Sequence, residues 1–151
     1  MRTELHKDFR EFIELLNSAK VEYVIAGGWA VAYHGHPRDT GDIDFLVAPS
    51  IENGAKIVHV LNAFGVGSLG LTPNDFSKSG QIIQLGRPPL RIDLLTSITG
   101  VTFQEAWESS IPDLLDGIPV RFISRELLIR NKKQVGRTKD RGDVEQIGGE
   151  S

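Results

Sequence analysis

Cysteine is absent from all 151 residues, which removes disulfides, thiolate zinc sites and a cysteine nucleophile from consideration. Long apolar runs are missing too. The longest, Val24 to Tyr33, contains two glycines and falls well short of the ~20 residues a bilayer-spanning helix needs. The opening Met1-Arg-Thr-Glu-Leu-His-Lys-Asp has no apolar stretch of the signal-peptide kind. No strong charge of one sign is present either. A net charge of -3 speaks against a general nucleic-acid coat or a membrane-surface protein, while leaving room for a local basic patch. Repeats and low-complexity segments are likewise lacking. The expectation is a soluble cytoplasmic protein with no membrane partner. Hydrophobic and charged fractions of 40% and 25% are ordinary for a globular chain, and the length suits one domain over residues 1–151.

What is present alternates between helical and strand patterns. Phe9, Phe12, Ile13 and Leu16 recur at helical spacing, so residues 5–19 are expected to form an amphipathic helix. Residues 21–26 read as a short buried strand ending at a Gly27-Gly28 turn, with a helix from Trp29 to Tyr33. A loop rich in turn residues follows, then the clearest strand of the chain, 42–47, by its strict alternation. Residues 51–64 read as a helix and 65–74 as a glycine-rich segment without a clear assignment. Residues 81–85 and 90–96 flank Gly86-Arg-Pro-Pro as a hairpin. Thr102-x-x-Glu105 is a capping box opening a helix through Trp107. A second hairpin turns at Asp116-Gly117 between 114–116 and 118–123. Ser124 caps a helix to about Lys133, and Thr138 starts a last helix through Ile147. The fold class is therefore α/β in the α+β sense: a mixed sheet flanked by helices. Two hairpins exclude a purely parallel sheet.

Three aspartates carry the functional signal. Alternation puts Asp42, Asp44 and Leu46 on one face of their strand and Ile43, Phe45 and Val47 on the other. The Cα atoms of the two acids then lie about 6–7 Å apart. On the later strand Asp93 shares its face with Arg91 and Leu95. Should the strands pair, the acids form one cluster, and like charges that close would not all ionise without a cation between them. Mg²⁺ fits, since it takes a few carboxylates together with phosphate oxygens and water, and two-metal sites hold their ions ~3.5–4 Å apart. The bland alternative has Asp42 ending a turn, Asp44 facing solvent and Asp93 on a sheet edge. A phosphatase of the haloacid dehalogenase type also uses Asp-x-Asp, but there the acids follow the apolar strand, whereas Asp42 and Asp44 precede Phe45-Leu-Val. A metal-dependent nuclease wants an acid-x-lysine pair where Asp93 is followed by Leu94-Leu95-Thr96.

Gly27-Gly28 between strand and helix frees backbone N–H groups at the helix's positive end, a seat for an anion. It matches neither a Walker A loop nor a dinucleotide fingerprint. Beside a metal cluster it is a candidate triphosphate cradle; otherwise it is a tight turn. Arg38 stands in the loop before the acids, as a phosphate contact or an ordinary solvated arginine. His34 and His36 form a His-x-His pair with no further His or Cys nearby, which disfavours zinc. The run Arg130, Lys132, Lys133, Arg137, Lys139, Arg141 is locally basic, a solvated face in the usual case. Asp140 and Asp143 lie one helical turn apart within it.

Together, Ala26-Gly-Gly-Trp-Ala-Val-x-x-His-Gly-x-x-Arg-x-Thr-x-Asp-Ile-Asp, the later Asp93, and Leu128-Ile-x-x-Lys132 followed by Gly136-Arg-x-Lys-Asp-x-x-Asp143 resemble the nucleotidyltransferase superfamily. Its wider membership includes polymerase β. The nearest branch looks like small bacterial proteins: aminoglycoside and lincosamide nucleotidyltransferases, and the nucleotidyltransferase toxins of toxin–antitoxin and abortive-infection systems. The likeness covers roughly residues 21–147. It implies that Gly27 and Gly28 hold nucleotide phosphates, that Asp42 and Asp44 bind two Mg²⁺ ions, and that Asp93 completes the metal site and helps activate an acceptor hydroxyl. Arg38, Lys132, Arg137 and Lys139 would contact phosphate. Many members carry Gly-Ser where this chain has Gly27-Gly28, which removes a hydroxyl contact. The implied reaction moves a nucleoside monophosphate from an NTP, ATP in the first instance, to a hydroxyl on a small molecule, a tRNA end or a protein side chain. A short chain further implies a partner protein or a second copy completing the acceptor pocket. The alternative is an antitoxin-like regulatory protein of the same fold that uses the site little.

Overall fold

The computed structural model describes residues 5–36, 41–87 and 90–135. The chain begins with helix α1 (Lys7–Ser18), strand β1 (Tyr23–Ala26), helix α2 (Gly27–Tyr33), strand β2 (Asp42–Val47) and helix α3 (Ile51–Phe64). It continues through strands β3 (Ile82–Arg87) and β4 (Leu90–Leu95), helix α4 (Phe103–Glu108), strands β5 (Ile111–Leu115) and β6 (Ile118–Phe122), and helix α5 (Arg125–Val135). The expected helix from Thr138, like Arg38, lies outside the described residues. Among the described residues no helix is long and apolar enough to cross a membrane.

The strands form one mixed sheet in the order β3-β4-β2-β1-β6-β5. β2 runs antiparallel to β1 and parallel to β4, while β1 and β6 are parallel. The two hairpins, β3–β4 and β5–β6, supply both ends of the sheet. Alternation divides the core. Ile43, Phe45 and Val47 join Ile92 and Leu94 in a cluster with Phe12, Ile13 and Leu16 of α1 and Ile57, Val60 and Leu61 of α3. Leu46, Val24 and Ala26 instead pack with Ala30 and Val31 of α2, Ala106 of α4 and Leu127 and Leu128 of α5. Both faces of the central strands are therefore covered, which explains why all of β1 is buried.

Local chemistry ends several elements where the sequence suggested, although β5, expected at 114–116, instead spans Ile111–Leu115. Ser50 Oγ accepts from the Asn53 N–H at 3.0 Å to start α3, and Gly65 closes it in the left-handed conformation. Thr102 and Glu105 form a reciprocal capping box on α4. Asp116 and Gly117 both take positive φ in the β5–β6 turn, as a type I′ hairpin requires. The unassigned segment after α3 forms 3₁₀ turns at Gly67–Leu69 and Pro73–Phe76, with Phe76 fully buried. One local reading needs correction. Gly27 and Gly28 are not a turn ahead of a helix; they are the first two residues of α2 itself.

Candidate active site

The parallel pairing of β2 with β4 sets Asp44 beside Asp93 and Asp42 beside Arg91. Because Ile43, Phe45, Ile92 and Leu94 are committed to the α1–α3 side, the three acids point to the opposite face. They sit at the end of the sheet where β1 passes into α2, since Ala26 pairs with Asp44. Gly27 has φ +63°, and a Cβ built on it would fall on Asp44 Oδ2. Only glycine meets both demands. Ala26, ahead of α2, offers no side-chain cap to the helix, whose first amides have no intrahelical partner.

The electrostatics of the cluster are unbalanced around Asp44. Its Oδ1 is buried with no hydrogen-bond partner. Burial, then the charge of Asp93, a hydrogen bond with Asp93 and the charge of Asp42, push its pKa up to about 7, while Lys132 pulls the other way. Lys132 lies on α5 and is itself buried. The phosphate-contact role suggested for it thus falls on a lysine already close to the acids. Asp93 is buried, and Asp42 is about half exposed.

Arg91 joins the acids across two strands. Its Nε donates to Asp93 Oδ1 at 2.8 Å, and its Nη2 donates to Asp93 Oδ2 at 3.2 Å and Asp42 Oδ2 at 2.9 Å. The hydrogen bond to Asp93 is the main cause holding the guanidinium above its ordinary pKa. The sequence put Arg91 on the acids' face without giving it a role. The available signal was Arg-x-Asp, whose alternate positions share a face on any strand.

Among the described residues no group of three or more His, Asp or Glu side chains stands ready to hold a metal ion; two of the three acids are instead held by Arg91. The donor set still fits a hard dication. It is all carboxylate oxygen, and the unpartnered Asp44 Oδ1 is the kind of buried atom such an ion satisfies. His34 Nε2 lies 2.8 Å from the Ile123 carbonyl oxygen. Arg130 donates to Glu105 Oε2 at 2.7 Å, so that part of the basic run braces α5 against α4. Arg137, Lys139, Arg141, Asp140 and Asp143 lie outside the described residues. A groove of about 430 Å³ beside Trp107 and Arg121 and a cavity of about 260 Å³ between Trp29 and Asp113 are lined by none of the three acids.

Residues 8–127 match a family model described as aminoglycoside-2''-adenylyltransferase. No curated protein matches the sequence. Several solved structures share the fold. The lincosamide antibiotic adenylyltransferase LnuA, solved with lincomycin bound, superposes with a TM-score of 0.59 at 16% identity, covering 95% of this chain and 96% of that one. ANT(2'')-Ia in complex with adenylyl-2''-tobramycin gives 0.57 at 17% identity, over 92% of this chain and 84% of that one. An antigenic nucleotidyltransferase-like protein from Paracoccidioides brasiliensis gives 0.52 at 18% identity, over 93% and 72%.

Proposed function

Because the chain belongs to the aminoglycoside-2''-adenylyltransferase family, and is thereby an enzyme of the nucleotidyltransferase type, we propose that it adenylylates a hydroxyl on a small polyhydroxylated molecule with the help of Mg²⁺. The observation that carries this reading is the pairing of Asp44 with Asp93 on adjoining parallel strands, with Asp42 on the same face and Gly27 pressed against Asp44. Two structural relatives were solved with lincomycin and with adenylyl-2''-tobramycin bound, which supports a small-molecule acceptor over a tRNA end or a protein side chain.

In this reading Asp42 and Asp44 are the metal ligands, with Asp93 completing the set. Bound there, Mg²⁺ would neutralise the charge that builds on the transferring phosphoryl group and ease deprotonation of the acceptor. The protein's own part is positioning and proton handling. Gly27 and Gly28 bring uncapped backbone amides to the triphosphate, and Lys132 adds a cation beside Asp44. Asp93 takes the acceptor's hydroxyl proton. The acceptor oxygen then bonds to the α-phosphorus as the bond to the β-phosphate bridging oxygen breaks, and pyrophosphate leaves. Arg38, Arg137 and Lys139 join the phosphate contacts on the strength of the family resemblance.

A regulatory protein of the same fold is the second reading, and Arg91 favours it to the extent that a guanidinium already neutralises two of the acids. Incubation with α-labelled NTPs, Mg²⁺ and separate panels of hydroxylated antibiotics, tRNA and protein separates the two. The enzyme reading expects label on a small hydroxylated acceptor, lost in Asp44→Ala. No transfer with any NTP or acceptor would favour the regulator.

A further inference from the structure

Arg91 lies two residues before Asp93 on β4, and strand alternation puts both on the acid face. Its planar guanidinium engages both oxygens of Asp93 and reaches across to Asp42 on β2. A surface ion pair of this kind contributes little to stability. This one is different because Asp93 is buried: its side chain keeps only 10% of its accessible area. Without a cation, the two strands' acids would repel one another at their closest approach. A fork that bonds bidentately is well suited to hold them, and a lysine's single ammonium is not an equivalent.

We infer that Arg91 is a built-in counter-cation that competes with the divalent metal for Asp42 and Asp93, keeping the metal-free site in register and yielding those oxygens when the ion arrives. This rests on the metal-dependent reading given above. The two occupants are mutually exclusive in large part. A dication draws carboxylate oxygens to about 2.0–2.1 Å in the case of Mg²⁺, and a guanidinium kept on the same oxygens would face it at repulsive range. Metal alone must therefore displace an existing set of charge-assisted hydrogen bonds. Metal arriving with a nucleotide brings phosphate oxygens, which offer the released Arg91 donors new acceptors. Arg91 is thus a positioning residue that makes the site weak for free cation and strong for cation with triphosphate.

Calorimetric titration of the metal-free protein with Mn²⁺, in the absence of nucleotide, tests this in wild type, Arg91→Gln and Arg91→Lys. Arg91→Gln should bind Mn²⁺ about 10-fold more tightly, ~1.4 kcal/mol by affinity arithmetic and on the order of one hydrogen bond to a charged group, and should melt at a lower temperature in EDTA. Arg91→Lys keeps the charge without the fork and should fall between the two, which preserves the test if Arg91→Gln fails to fold. Equal or weaker Mn²⁺ binding by the variants, with binding intact in wild type, overturns the competition alone. Absence of Mn²⁺ binding in all three overturns it together with the metal reading itself.

Discussion

Asp44 is where stability and function pull apart. An acid whose pKa is raised to about 7 in the folded protein carries a folding penalty at higher pH. That penalty fades as pH falls through 7 and is gone below the unfolded value of ~3.9. Asp44→Asn removes the charge while keeping the shape. In EDTA at pH 8 the variant should be more stable by about 1–2 kcal/mol, discounting the full pKa displacement for solvent screening. In a chain of this size each kcal/mol is worth about 2–4 °C in melting temperature. The same variant should lose nucleotide transfer and the stabilisation that Mg²⁺ gives the wild type. A lower melting temperature for Asp44→Asn would show that the carboxylate is compensated by the protein. At this scale the sequence was informative about the acids, because Asp42, Asp44 and Asp93 declare their facing by alternation alone. It placed Arg91 on the acid face without a role, which depends on which strand lies beside β4, and it named Gly27 without its closeness to Asp44, which depends on the pairing of β1 with β2.

At the scale of elements, local rules were sufficient wherever the signal was itself local. The bounds of β2 were legible from alternation and the hairpin at Asp116-Gly117 from its turn chemistry, and α3 occupies the expected 51–64. The Gly27-Gly28 step was not, because glycine reads as a turn unless tertiary packing makes it the start of a helix. The acid face is covered partly by α4 and α5, which share an apolar cluster and are also joined through one carboxylate. Glu105 accepts from the Thr102 N–H at 3.1 Å and from Arg130 Nη1 at 2.7 Å. The hydrogen bond from Arg130 is the largest cause holding its pKa below the ordinary range. A lowered acid stabilises the fold above its unfolded pKa and loses that contribution as pH falls through the folded one. Melting curves of wild type and Glu105→Gln should therefore differ at neutral pH and converge on acidification below about pH 4, the usual glutamate range. A difference that persists at low pH would mean that the cap and the ion pair act through packing rather than charge.

Across the whole molecule, the sheet order β3-β4-β2-β1-β6-β5 is what turns separated sequence signals into one site. β4 enters beside β2 in parallel register, although 42 and 93 are far apart in the chain, and β1 delivers α2 to the same end. The sequence could state that strands carrying acids exist, and that a mixed sheet holds them, but pairing partners are a property of the complete core. Phe45 illustrates this: its ring meets Phe12 from α1 and Tyr23 from β1, contacts no local pattern specifies. The family match over residues 8–127 agrees with this architecture. The most direct measurement is anomalous diffraction from crystals soaked with Mn²⁺ and a non-hydrolysable ATP analogue. The expected map has the metal signal on Asp42 and Asp44, the triphosphate against Gly27 and Gly28, and Arg91 withdrawn from Asp42. A nucleotide bound elsewhere, or a metal signal away from these acids with Arg91 still bridging Asp42 and Asp93, would contradict the account.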